Sequence, residues 1–147
     1  MTDKESIQLL MSALNLYRYN FRIMHWKAKG KHFKKVHDLM ADYYTMLDGF
    51  IDEVVEIGLM YDVEPVSYQE TFEILNKSEL QFEQIHGSET FDCPEAVKKS
   101  GEMFDQLIQV YDTVKEEVHG AIASKLEEHQ YAMILESKYK GKMTLMD

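Results

Sequence analysis

Residues 25 to 37 read His25-Trp26-Lys27-Ala28-Lys29-Gly30-Lys31-His32-Phe33-Lys34-Lys35-Val36-His37, a lysine-rich link with a glycine near its centre. The flanks give this stretch its meaning. Upstream, Ile7, Leu10, Met11, Leu14, Tyr17, Phe21 and Met24 recur every three or four residues, the period of an amphipathic helix. Downstream, Phe33, Val36, Met40, Tyr44, Leu47, Ile51 and Val54 keep that spacing as far as Leu59. Two long helices joined by so short a link must fold back antiparallel. Thr2 and Glu5 form a Thr-x-x-Glu capping box for the first helix, and Gly30 is its natural stop.

The remainder continues the helical pattern. Only Pro65 and Pro94 interrupt the chain, and both fall outside the periodic stretches. Ser67 and Glu70 make a second capping box, which predicts a short helix from Tyr68 to Asn76. The polar stretch from Gln81 to Cys93 reads as irregular. Pro94 suits the first turn of a third long helix capped by Asp92 or Cys93. Val97, Phe104, Leu107, Ile108, Tyr111, Val114 and Val118 carry its apolar period. Gly120 reads as the next turn, with a helical His119 to Ala123 as the alternative. Ile122, Leu126, Tyr131, Ile134 and Leu135 mark a fourth helix, and the basic tail from Lys138 is expected to fray. There is no internal repeat and no low-complexity segment. The expectation is an all-α, single-domain four-helix bundle spanning 1–147. Its connectivity is up-down-down-up, with a short extra helix in the long second-to-third connection.

Composition bounds the function. The chain has 147 residues, 45% hydrophobic and 29% charged, enough apolar material for one sizeable core. Acidic residues number 26 against 16 basic ones, a formal charge of −10. That mean field repels phosphate, which argues against unaided binding to nucleic acid or anionic lipid and is compatible with metal cations. Cys93 is the single cysteine, so an intrachain disulfide and a CxxC metal site are both excluded. The simplest setting is a reducing, cytoplasmic one. No apolar run approaches the roughly 20 residues that span a bilayer, and the charged N-terminus has no signal core behind it.

Asp52 and Glu56 lie one turn apart on the second helix, and His37, Tyr44 and Asp48 fall on the same loose stripe. Carboxylates alone describe a solvated face. Histidine added to them makes a ligand set suited to Fe, Zn or Mn, so the stripe is either a wet surface or part of a metal site. Cys93 has no sequence-local activator, and no phosphate loop, GxSxG or HExxH is present.

His25-Trp26, Gly30, Phe33, His37, Asp52 and Glu56 stand in the order and spacing of the mini-ferritins, the Dps family of DNA-binding proteins from starved cells. The stretch Leu126-Glu127-Glu128-His129-Gln130-Tyr131-Ala132-Met133-Ile134-Leu135 resembles the same family's last helix. The resemblance implies a ferritin-like domain that assembles as a hollow homo-oligomer, a dodecamer. Such an assembly oxidises Fe(II) with peroxide or dioxygen and stores ferric iron. It further implies metal sites shared between subunits, with His25 of one chain facing His37, Asp52 and Glu56 of another, and Trp26 in the surrounding shell.

Two departures stand out. The family places an acidic residue one turn after the second histidine, where this chain has Ala41. A site short of one carboxylate suits a single metal, or zinc in place of iron, or a remnant. A ferritin-like structural protein that assembles without efficient oxidation is therefore the alternative function, and a helical-hairpin interaction module without metal is a third. The family's DNA-binding members often use a lysine-rich tail. Here Lys4 is the only lysine ahead of the first helix's apolar run, so DNA binding is expected to be weak or absent. The cluster from Lys27 to Lys35 is either a solubilising surface or, repeated by symmetry, a basic patch.

Overall fold

The computed structural model describes residues 1–146. Helix α1 runs from Asp3 to Lys27, with the Thr2 hydroxyl accepting from the Glu5 amide at 3.1 Å. Asp3 and Glu5 in its first turn complement the helix dipole. Ala28 turns extended and ends it. The reversal uses Gly30 at φ 98° and His32 at φ 72°, and the Phe33 amide donates to the Gly30 carbonyl at 3.1 Å. Glycine enters that left-handed region without steric cost. Helix α2 then runs from Phe33 to Met60.

The long connection holds α3, Tyr68–Lys77, with both arms of the Ser67–Glu70 capping box formed at 3.2 Å. Asn20 of α1 fastens the connection further on. Its Nδ2 donates to the Glu83 carbonyl at 2.7 Å, and its Oδ1 accepts from the Ile85 amide at 3.1 Å. Helix α4, Cys93–Lys115, starts on an Asp92 cap with Pro94 in its first turn, and α5 covers Gly120–Leu135.

Side-chain partners fix the directions. Tyr17 donates to Gln106 and Asn20 meets Met103, so α1 and α4 are antiparallel. Tyr43 donates to Glu136 and His129 meets Glu53, so α2 opposes the C-terminal helix. The connectivity is the expected up-down-down-up. Phe21, Tyr43 and Phe104 form an aromatic knot in the core, with ring centres 4.8 to 5.3 Å apart. Each such ring contributes roughly 2–3 kcal/mol of burial.

Two features differ from the sequence reading. Residues Ala28–Lys29 (β1), in the first link, and Phe91–Asp92 (β2), in the stretch from Gln81 to Cys93 read as irregular, form a short parallel bridge. Local periodicity carries no trace of a pairing made by residues so far apart in sequence. The basic tail is also not frayed. A π-helical turn at Glu136–Lys140 carries α5 into a last short helix, α6, Gly141–Met143. An alanine Cβ at Gly141 would lie 2.8 Å from both the Glu136 carbonyl and the Tyr43 hydroxyl, so glycine lets the phenol sit against the backbone.

Candidate metal centre

His25 occupies the last turn of α1 and His37 the second turn of α2, and the tight reversal brings them face to face. Their rings stack with centres 3.7 Å apart at 22°. His25 Nδ1 lies 2.6 Å from the His37 carbonyl oxygen, and His37 Nδ1 lies 2.7 Å from the His25 carbonyl oxygen. A carbonyl only accepts, so each Nδ1 carries the proton and donates. In the neutral rings both Nε2 atoms are then the lone-pair nitrogens, the form that binds metal. The reciprocal bonds also fix each ring's orientation, the usual work of a metal site's outer shell.

Phe33 flanks His37 at 5.2 Å, and Tyr44 meets His25 edge-on at 5.5 Å. Trp26 lies off this stack. It is 56% exposed and packs edge-on against Tyr19 at 6.4 Å. The Arg22 guanidinium lies 4.5 Å from the centre of the Tyr44 ring and 5.9 Å from that of Trp26. Its buried Nε has no hydrogen-bond partner.

Asp52 and Glu56 are exposed on α2, one turn apart. On that helix they stand about 22 and 28 Å from His37 along the axis. The division expected from the resemblance, His25 on one chain against His37, Asp52 and Glu56 on another, is therefore not the one this geometry makes. The histidines belong together at one end of the hairpin and the carboxylates together at the other. Accordingly, among the described residues no three metal-binding side chains gather within one chain.

Ala41 is half-buried one turn beyond His37 and supplies no oxygen. Two acidic residues of α2 near it are engaged elsewhere. Lys34 bonds Asp38 at 2.7 Å and holds that exposed carboxyl below its usual range, while Arg18 pairs with Asp48.

A second polar cluster, built on His129, lies inside the bundle. The Tyr111 hydroxyl and His129 Nδ1 are 2.7 Å apart, His129 Nε2 and Glu53 Oε2 are 2.5 Å apart, and Phe50 stacks on the imidazole at 4.0 Å. Burial drives the His129 pKa down against the pull of Glu53, and it drives the Tyr111 phenol well up. Tyr111 therefore donates to Nδ1, and Nε2–H donates to Glu53. The hydrogen bond from His129 lowers the Glu53 carboxyl. Only the helical phase of Glu53, about 100° from that of Asp52, hinted at this arrangement.

No curated protein matches the chain. Solved structures do. A Dps from Staphylococcus aureus superposes with a TM-score of 0.72 at 16% identity, over 97% of this chain and 91% of that one. Helicobacter cinaedi CAIP gives 0.74 at 13%, over 97% and 96%. A dodecameric thioferritin from Bacteroides fragilis gives 0.70 at 13%, over 99% and 90%. At such identities the likeness is one of fold. The description "Ferritin-like domain" matches residues 5–134, nearly the whole bundle. With its Dps-type architecture and its split set of histidines and carboxylates, the chain belongs to the ferritin-like family.

Proposed function

We propose that the chain is an iron-binding mini-ferritin whose metal sites form between subunits, joining His25 and His37 of one copy to Asp52 and Glu56 of the next. The observation that carries this reading is the reciprocal pair of histidine–carbonyl bonds. It fixes two imidazoles through their Nδ1 atoms and leaves their Nε2 atoms out of those bonds, about 22 Å along the helix from the acidic turn that would complete the ligand set. Fe(II) is the substrate, and peroxide or dioxygen takes its electrons. The protein's part is to hold geometry and charge. Trp26 and Tyr19 would be covered on assembly. A closed homo-oligomer of twelve chains is the assembly this reading requires, and DNA affinity is weak because the −10 charge of each chain accumulates. No helix among the described residues is long and apolar enough to cross a membrane.

Ala41 favours a second reading, an assembly that binds metal but oxidises Fe(II) poorly. One experiment separates the two. Light scattering gives the assembly size, and Fe(II) oxidation is followed with and without the protein. Faster oxidation by an oligomer, abolished by His37→Ala, supports the first reading. An oligomer that leaves the rate at background supports the second. A monomer that binds no metal refutes both.

A further inference from the structure

The histidine end of the hairpin carries a cation held by ring contacts and by no ion pair among the described residues. Arg22 precedes His25 by one turn of α1, so the two share a face. The guanidinium is pinned over Tyr44 at 4.5 Å, and Tyr44 meets His25 edge-on. Its Nε is buried and lacks an acceptor. Asp48 is paired with Arg18 and Asp38 with Lys34, Asp42 is exposed about 160° round α2 from Tyr44, and Ala41 offers no carboxylate. The Nε–H of Arg22 is thus a buried donor without an acceptor, which is costly to leave so.

Asp52 and Glu56 have the complementary deficit. They are exposed, one turn apart, and form no ion pair among the described residues. The hairpin is therefore cationic at one end and anionic at the other on neighbouring faces. A second copy turned end for end brings each end against its opposite, twice over.

We propose that Arg22 receives a carboxylate of this acidic turn, Asp52 or Glu56, from a second copy of the chain, and that its permanent charge stands where a second metal ion would otherwise sit. The proposal rests on the inter-subunit reading above and sharpens it. A guanidinium cannot be deprotonated, so it offsets the acidic turn at any working pH. Two consequences follow. Each site holds one divalent ion, and copies associate without metal, because the arginine already neutralises part of the acidic turn.

The test uses the full chain and Zn(II), which cannot be oxidised. Arg22→Met keeps the packed stem without the charge, and Arg22→Lys keeps a charge without the planar fork. Circular dichroism checks that each remains folded, and sedimentation in EDTA and in Zn(II) gives association. The unmutated chain is expected to associate in EDTA and to take up one Zn(II) per site. Arg22→Met should associate at least about tenfold more weakly in EDTA, with Arg22→Lys in between. Combining Arg22→Met with Asp52→Asn or Glu56→Gln should be non-additive for the carboxylate that is its partner. If Arg22→Met associates in EDTA like the unmutated chain, and its effects add with both carboxylate variants, the arginine pairing is wrong and the metal reading stands. If the unmutated chain is monomeric with and without Zn(II), the metal reading itself fails, and the pairing with it. If Arg22→Met does not fold, the Arg22→Lys series decides by the same comparison.

Discussion

Glu53 and His129 hydrogen-bond at 2.5 Å across the contact of α2 with α5, a half-exposed carboxylate against an imidazole that is only 3% exposed. The pair makes stability depend on pH with a definite sign. The folded state holds the His129 pKa below the ordinary 6.5, so the unfolded chain binds a proton first as pH falls. Stability should decline from about pH 6.5 downward. Glu53, also lowered in the fold, adds to the loss once pH passes its ordinary 4.5. His129→Gln should flatten the upper part of this decline, as read from urea midpoints between pH 7 and 5, about the histidine range. His129→Ala would remove the Phe50 stack and strand the buried Tyr111 hydroxyl, at a cost of about 3 kcal/mol.

Gly141→Ala should cost about 2 kcal/mol, because the new methyl meets the Glu136 carbonyl and the Tyr43 hydroxyl at 2.8 Å. Tyr43→Phe removes one of those two obstacles. The double variant should therefore lose less than the sum of the single ones, measured by urea denaturation. Strict additivity would mean that the Tyr43 hydroxyl is not the obstacle.

Ala41→Asp restores the family's acidic residue beside His37. Calorimetric titration with Zn(II) should then find more metal per chain than in the unmutated protein, and Fe(II) oxidation should speed up. Unchanged stoichiometry would place the missing ligand elsewhere.

Cys93 is fully buried, its Sγ 3.4 Å from the Lys29 carbonyl, and burial beside Asp92 pushes the thiol pKa up. Reaction with a disulfide reagent should therefore be slow in the native protein and fast in urea. Equal rates would contradict the packing at the start of α4.

The sequence spoke most clearly wherever the determinant is local. Thr2 with Glu5, Ser67 with Glu70, and Asp92 ahead of Pro94 start helices within one residue of where the spacing puts them. A capping bond spans three residues, so its signal lies inside a short window. Pairings across the fold left no such signal. Nothing near Phe91 announces Ala28, nothing near Glu53 announces His129, and the engagement of Asp48 by Arg18 shows only once α1 and α2 are packed. The site was legible as a residue list and not as a partition. Helical phase put His37 and Asp52 on one stripe, but rise along the axis, not phase, decides whether two side chains on a long helix can touch one ion.

The parallel bridge of Ala28 with Phe91 also bears on the order in which the chain is built. Its first strand follows directly on α1, while its second comes only after α2, α3 and the whole connection have been made. The hairpin of α1 and α2 can close by local contacts while the later helices are still being synthesised, since short loops close fastest. The bridge and the Asn20 clasp on Glu83 and Ile85 then act as the latch that admits α4 to a surface already formed. Until that latch closes, the apolar flank of α1 that α4 covers stays open to water.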